Sequence, residues 1–311
     1  MPRVVFLLIP HVHLLDVAGP AQVFSTAADL GHQHTLSYVA EDSPVSTVQA
    51  LPVHAEVAWP ALRPEDLIMV PGWRGPARLP TASTIQRLRE HHAAGGAVAG
   101  ICAGADALGM AGLLDGRRCT THHAGQDELA RRYPAAEVVR DVLYIEDQRV
   151  VTSAGVASGI DVALHILGTR VGPAAAGKVA RAMIVYAARH GTAPQISTML
   201  RHRHHHDDMV HLLQDLIDAR FTERLTLPML ADAAGYSERT VTRLFRNATG
   251  LTPLAYQNNL RREHAEYLLG QGATVEAAAR QAGYSDPRSL RRLRSAAGRA
   301  HDTSRAGALL Q

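Results

Sequence analysis

The chain has 311 residues, 46% of them apolar and 20% charged, with a formal net charge of +3. That length allows two domains with cores of their own, and that composition excludes disordered, collagen-like and disulfide-framework classes. Two cysteines, Cys102 and Cys119, suit a reducing compartment.

No apolar stretch approaches the roughly 18 residues of a membrane span, and the start, MPRVVFLLIPHVHLLD, lacks the shape of a signal peptide. A cytoplasmic protein without membrane contact is therefore expected. All but one of the 32 basic residues are arginine, the exception being Lys178.

Short apolar runs alternate with helical periodicity through the first 190 residues. Strands are predicted over residues 4–9, 36–40, 67–70 and 97–101, with helices over 17–30, 84–94 and 105–111. Two further strands follow at 143–146 and 149–152, then helices at 158–168 and 173–189. This alternation predicts an α/β fold around a mostly parallel sheet flanked by helices, with ligands at the carboxyl ends of its strands. Two loops sit at such ends: Pro71-Gly72-Trp73, and Gly100–Gly104 around Cys102.

Residues 191–208, GTAPQISTMLRHRHHHDD, show no clear period and read as a linker. Their histidines have no cysteine or carboxylate at a ligand spacing, so no metal is expected. From 209 to 311 the pattern is helical throughout, predicting an all-α domain.

That domain contains a near-repeat. LADAAGYSERTVTRLFR and AARQAGYSDPRSLRRLR each hold a short helix, a glycine turn, a capping serine and a basic amphipathic helix. Two helix-turn-helix units are placed at about 226–248 and 274–297, joined by a helix over 254–269. A basic helix of this kind enters a major groove. The DNA-contacting residues are expected to be Ser237, Arg239, Thr240, Arg243 and Arg246 from the first unit. Ser285, Arg288, Arg291 and Arg292 are expected from the second.

This segment resembles the AraC/XylS family of transcription regulators, on the ATG-LTP-xxY turn at 248–256 and the RR-xxA-xxLL helix at 261–269. Where that family has a late aromatic in the second recognition helix, this chain has Arg294 and ends GRAHDTSRAGALLQ. Losing that aromatic removes about 2–3 kcal/mol of burial, so the first unit is expected to carry most of the specificity.

The first 190 residues resemble the ThiJ/PfpI branch of the class I glutamine amidotransferase-like superfamily. The resemblance is closest to its GlxA-type regulators. It rests on LLIPHVHLLDVAGPAQVF, VPG, AGLLDGRRCTTHH and VTSAGVASGIDVALHIL. It implies a flavodoxin-like, amidotransferase-like sensor domain over 1–190, with Cys102 on a strand-to-helix elbow and Asp16 and His122 close to it. An elbow followed by a helix is expected to lower the thiol pKa.

The candidate catalytic set is Cys102 as nucleophile, His122 as base or acid and Asp16 as orienting group, with Gly72 and Ala103 amides as oxyanion donors. Ala103 stands where peptidase-like members carry histidine, and Trp73 stands where many relatives carry a second glycine. Fusion to a DNA-binding module favours sensing over turnover. The expected effector pocket is Asp16, Gly72, Trp73, Cys102, Ala103 and His122.

The Trp73 face suggests a cationic amine or amino acid as effector, with Asp16 and Glu41 as negative partners. The expected partners are double-stranded DNA, that effector and a second copy of the chain in a homodimer, with no cofactor. The alternatives left open are an inert packed thiol, a cysteine-dependent hydrolase, amidase or hydratase with a DNA-binding tail, and a redox-sensing regulator acting through Cys102.

Overall fold

The computed structural model describes residues 1–75, 79–185 and 189–290. The chain divides into two compact units, Met1–Gln195 and Ile196 onward. The first unit opens with β1 (Arg3–Leu7), α1 (Leu14–Asp29), β2 (Thr35–Val39), β3 (Leu67–Val70), α2 (Ala82–Ala93) and β4 (Ala97–Ile101). It continues through α3 (Gly104–Met110), β5 (Arg118–Cys119), α4 (Gln126–Arg132), β6 (Glu137–Val138), β7 (Tyr144–Asp147), β8 (Val150–Ser153), α5 (Ser158–Val171) and α6 (Pro173–Ala182).

Six strands form one sheet in the order β2-β1-β3-β4-β8-β7, parallel except between β7 and β8. β5 and β6 form a small parallel pair apart from it.

The period-two rule of a strand shows how the sheet is covered. Val4, Phe6 and Leu8 face a core with Phe24 of α1 and Val162 and Leu167 of α5. Val5, Leu7 and Ile9 face a second core with Leu88 of α2 and Leu108 of α3. β3 and β4 are buried almost throughout, as central parallel strands are. The carboxyl ends of β1, β3, β4 and β8 therefore open onto one edge of the unit.

The helix expected over 173–189 ends at Ala182. The chain turns at Ile184 (φ +54), and the Val185 amide reaches back to the Ala180 carbonyl at 2.9 Å. Residues 189–195 then form a strap of turns and bends, with the Ala193 amide on the His190 carbonyl at 2.9 Å. The Arg189 guanidinium meets the buried Asp161 at 2.6 Å, and the Leu143 amide donates to the Gly191 carbonyl at 2.8 Å. The stretch 191–208 thus lacks periodicity without lacking structure.

The second unit consists of α7 (Thr198–Arg201), α8 (Asp208–Arg220), α9 (Leu227–Ala234), α10 (Glu238–Thr249), α11 (Pro253–Gly270) and α12 (Val275–Gln281), with residues 287–290 helical again. Thr226, Ser237, Thr252 and Thr274 begin α9 to α12, and each side chain accepts the amide three residues on. Val241, Phe245, Tyr256 and Leu260 form the larger core.

The smaller core rests on Ala265, Ala278, Ala279, Ala282, Tyr284 and Leu290. Of the linker-stretch histidines, His202 and His205 pack within this unit. The His205 and His211 rings stack at 4.1 Å, and His205 pairs with Gln214 at 3.1 Å. Among the described residues no group of His, Cys, Asp or Glu could hold a metal ion.

Candidate functional site

Four strand ends converge on Cys102. The thiol follows β4 directly, and its backbone is left-handed at φ +55, a strained conformation for a residue with a Cβ. Three backbone anchors hold it there. The Cys102 amide donates to the Ser153 carbonyl at 2.9 Å, and its carbonyl accepts from the Thr121 hydroxyl at 2.8 Å and the Ala105 amide at 3.2 Å.

Space around it is provided by glycines. A Cβ on Gly72 would lie 2.6 Å from Asp16 Oδ2 and 2.8 Å from the Cys102 Cβ. At Gly155, where φ is +86, a Cβ would lie 2.1 Å from the Cys102 Cβ.

Asp16 is fully buried at the start of α1. Its Oδ2 accepts from the Gly72 amide at 3.1 Å and its Oδ1 from the Val156 amide at 2.6 Å. Burial raises its pKa against those two bonds and the nearby His13. The resemblance implied a carboxylate beside the thiol, and Asp16 occupies that place.

The thiol departs from expectation in the opposite direction. Burial first, and the Asp16 carboxylate second, push Cys102 up to about 12, outweighing the Ala103 amide and Arg74. α3 is seven residues long and cannot offset this desolvation. A protonated thiol is a weak nucleophile.

One of the two oxyanion donors is also committed. The Gly72 amide is spent on Asp16, and the Ala103 amide acts on the thiol by lowering its pKa. The His122 Nδ1 accepts from the Ala124 amide at 3.3 Å, and its ring lies 4.2 Å from that of His123. Burial, together with His123, His13 and Arg74, lowers its pKa. Among the described residues no hydrogen bond joins His122 to Cys102.

Trp73 is half-buried, bridges Val12 in an antiparallel contact and packs against the second core. Glu41 is not at this site. Its Oε1 accepts from the Thr81 amide and hydroxyl at 2.7 and 2.8 Å and from the Thr84 hydroxyl at 2.6 Å, fastening the start of α2. Cys119 is fully buried in the second core.

In the second unit, Gly235 (φ +67) makes the turn between α9 and α10. Ser237 caps α10 by accepting the Thr240 amide at 3.3 Å, and its hydroxyl also pairs with Thr240 Oγ1 at 2.9 Å. Val241 and Phe245 turn inward while Arg239, Arg243 and Arg246 are exposed on another face. None of these three arginines is ion-paired among the described residues. Thr242 shares their face at helical spacing, and the Thr240 hydroxyl pairs with that of Ser237.

The ATG-LTP-xxY motif has a structural reason. Gly250 (φ +76) ends α10, Thr252 caps α11, and buried Tyr256 stacks edge-on to Phe245 at 5.6 Å while donating to Asp218 at 2.8 Å. α11 has 18 residues and spans about 27 Å.

In the second helix-turn-helix unit, Gly283 (φ +84) packs its bare Cα face on the Thr222 carbonyl. Ser285 and Arg288 are exposed. The cap expected of Ser285 is supplied by Asp286, whose Oδ1 accepts the Arg288 amide at 2.8 Å. Arg291, Arg292 and Arg294 lie outside the described residues.

Sequence reasoning missed the contributions of Thr121, Gly155 and Val156. Gly155 carried a signal, since it follows a predicted strand at the same sheet edge as Cys102. Thr121 carried none, because a single hydroxyl bond to a distant carbonyl leaves no pattern.

Residues 2–169 match the DJ-1/PfpI family, and residues 230–296 match a helix-turn-helix domain. The HTH-type transcriptional regulator CdhR of Pseudomonas aeruginosa is 30% identical over 272 residues, covering 86% of this chain and 80% of that protein. An isonitrile hydratase of Pseudomonas putida is 33% identical over 168 residues, 54% of this chain and 71% of the enzyme. Among solved structures, an AraC family transcriptional regulator from Pseudomonas putida aligns with a TM-score of 0.53 at 24% identity, covering 59% of this chain and all of that one.

Proposed function

This chain belongs to the DJ-1/PfpI family and is a DNA-binding transcriptional regulator of the helix-turn-helix type. On that premise we propose that its first unit receives a small effector at the Cys102 elbow and adjusts DNA binding by the second. The pocket is Asp16, Gly72, Trp73, Cys102, Ala103 and His122. Arg239, Arg243 and Arg246 hold phosphates or read bases, with Ser237, Thr240, Ser285, Arg288, Arg291 and Arg292 adding contacts.

A homodimer would pair two such readers, and the protein works in the cytoplasm on this reading. The observation that carries the sensing role is that the Gly72 amide, a would-be oxyanion donor, is already bonded to the buried Asp16 beside Cys102. A pocket of that kind binds without turning over.

The effector class is the finer part of the proposal. The half-buried Trp73 face and Asp16 favour a cationic amine or amino acid. Glu41, committed to α2, takes no part.

The first experiment is specific binding to a duplex selected from a random pool, at fixed salt and with excess competitor. The wild type forms a complex that Arg243→Ala weakens, and betaine, carnitine and arginine are then screened on that complex. A folded protein that selects no duplex refutes the reading.

One observation favours a second reading, the 33% identity to a hydratase. Consumption of an alkyl isonitrile by the wild type and not by Cys102→Ser would establish it. A redox role instead requires peroxide to change DNA affinity in the wild type and not in Cys102→Ser.

A further inference from the structure

The strap that closes the first unit ends against Thr121, whose hydroxyl holds the Cys102 elbow. Gln195, its last residue, is fixed at three points. Its amide donates to Asp141 Oδ1 at 3.1 Å, and its side-chain Nε2 donates to the Thr121 carbonyl at 2.8 Å and the Val142 carbonyl at 3.0 Å. Thr121 is the residue whose hydroxyl holds the Cys102 carbonyl at 2.8 Å. Two hydrogen bonds therefore separate the elbow backbone from the final residue of the unit.

On the far side of the joint the chain is fastened just as firmly. The Thr198 amide donates to Glu263 Oε1 at 2.9 Å and its hydroxyl to the same oxygen at 2.5 Å, within the second unit. Only Ile196 and Ser197 lie between these two anchorages.

We propose that Gln195 is the positioning residue that transmits the state of the Cys102 elbow to the DNA-binding unit. A ligand that moves Cys102 moves Thr121, and the Thr121 carbonyl moves Gln195, which is covalently two residues short of the Glu263 anchorage. The side chain is poised for a second arrangement: Gln195 Oε1 is buried and accepts no hydrogen bond among the described residues. A buried acceptor left unmet is destabilising, so a small shift that satisfies it is favoured.

The inference rests on the regulator reading above, and reciprocity of coupling makes it testable without knowing the effector. The probes are a duplex selected by the protein itself and the thiol reagent dithiodipyridine. Cys119 is buried, so labelling reports Cys102, with Cys102→Ser as the blank. In the full-length wild type, saturating duplex is expected to change the Cys102 labelling rate by about fivefold or more.

In Gln195→Met, which keeps volume and loses both donors, the duplex still binds and the labelling rate no longer responds to it. Thr121→Val, which removes the hydroxyl bond to Cys102, uncouples in the same way and serves if Gln195→Met does not fold. The proposal is overturned if either folded variant keeps the wild-type response, or if the wild type binds duplex with no change in labelling. Selection of no duplex at all would sink the regulator reading itself, which is a separate outcome.

Discussion

Gly155→Ala tests the packing of the elbow directly. The new methyl would sit 2.1 Å from the Cys102 Cβ and 3.0 Å from its sulfur, at a backbone φ of +86. The left-handed backbone costs about 1–2 kcal/mol for a residue with a Cβ, and overpacking a closed site adds about 1–3 kcal/mol. The expected loss is therefore about 2–5 kcal/mol.

Gly31→Ala is the matched control, since φ is +91 there with nothing within 4 Å. It should cost the backbone part alone, about 1–2 kcal/mol. Urea denaturation followed by tryptophan fluorescence isolates the first unit, because Trp59 and Trp73 are the chain's two tryptophans.

The second arm identifies the atom in conflict. Cys102→Gly on the Gly155→Ala background removes the opposing Cβ and relieves the φ of +55 at that position, so it restores most of the overpacking cost. Cys102→Ala keeps the Cβ and restores little. Equal losses for Gly155→Ala and Gly31→Ala, or equal rescue by the two cysteine variants, would refute the account of the elbow.

Asp16→Asn removes the negative neighbour that helps raise the thiol, so Cys102 should titrate below about 12 by thiolate absorbance; an unchanged or higher value contradicts the assignment. Burial holds the Asp16 carboxyl above its ordinary range. Its contribution to stability is thus complete below about pH 4 and lost as pH rises through the folded-state value. The fluorescence midpoint of the wild type should accordingly fall relative to Asp16→Asn over that rise.

Ser237→Ala deletes the α10 cap and should cost the second unit about 0.5–2 kcal/mol, read by circular dichroism. Arg246→Ala should weaken DNA binding and reduce the salt slope by about 1 if that arginine holds a phosphate. An unchanged slope with altered sequence preference would make it a base reader instead.

Much of the architecture was legible because it follows local pattern. The runs LIMV and AVAGI gave β3 and β4 their bounds, since a strand buried on both faces must be continuously apolar. The twin Ala-Gly-Tyr-Ser stretches marked the turns at Gly235 and Gly283. What failed to show was collective.

The helix after Pro173 stops at Ala182 although its periodicity runs on: the chain turns at Ile184 (φ +54), and Arg189 pairs with the buried Asp161. The thiol goes up rather than down because burial dominates, and burial at a given position is a property of the whole sheet. The tyrosines of the two turns also differ. Tyr284 is buried and donates to the Asn258 carbonyl at 3.4 Å, while Tyr236 is 53% exposed. Identical motifs thus meet different surroundings.

The strap has a practical meaning for anyone who wants the sensor by itself. β7 is an edge strand, and the amides of Leu143 and Tyr144 at its start are covered by the Gly191 carbonyl at 2.8 and 3.3 Å. A fragment cut at 190 would bare those donors and invite edge-to-edge association between copies. One cut after Gln195 keeps the edge sealed, so the sensor is best produced as residues 1–195.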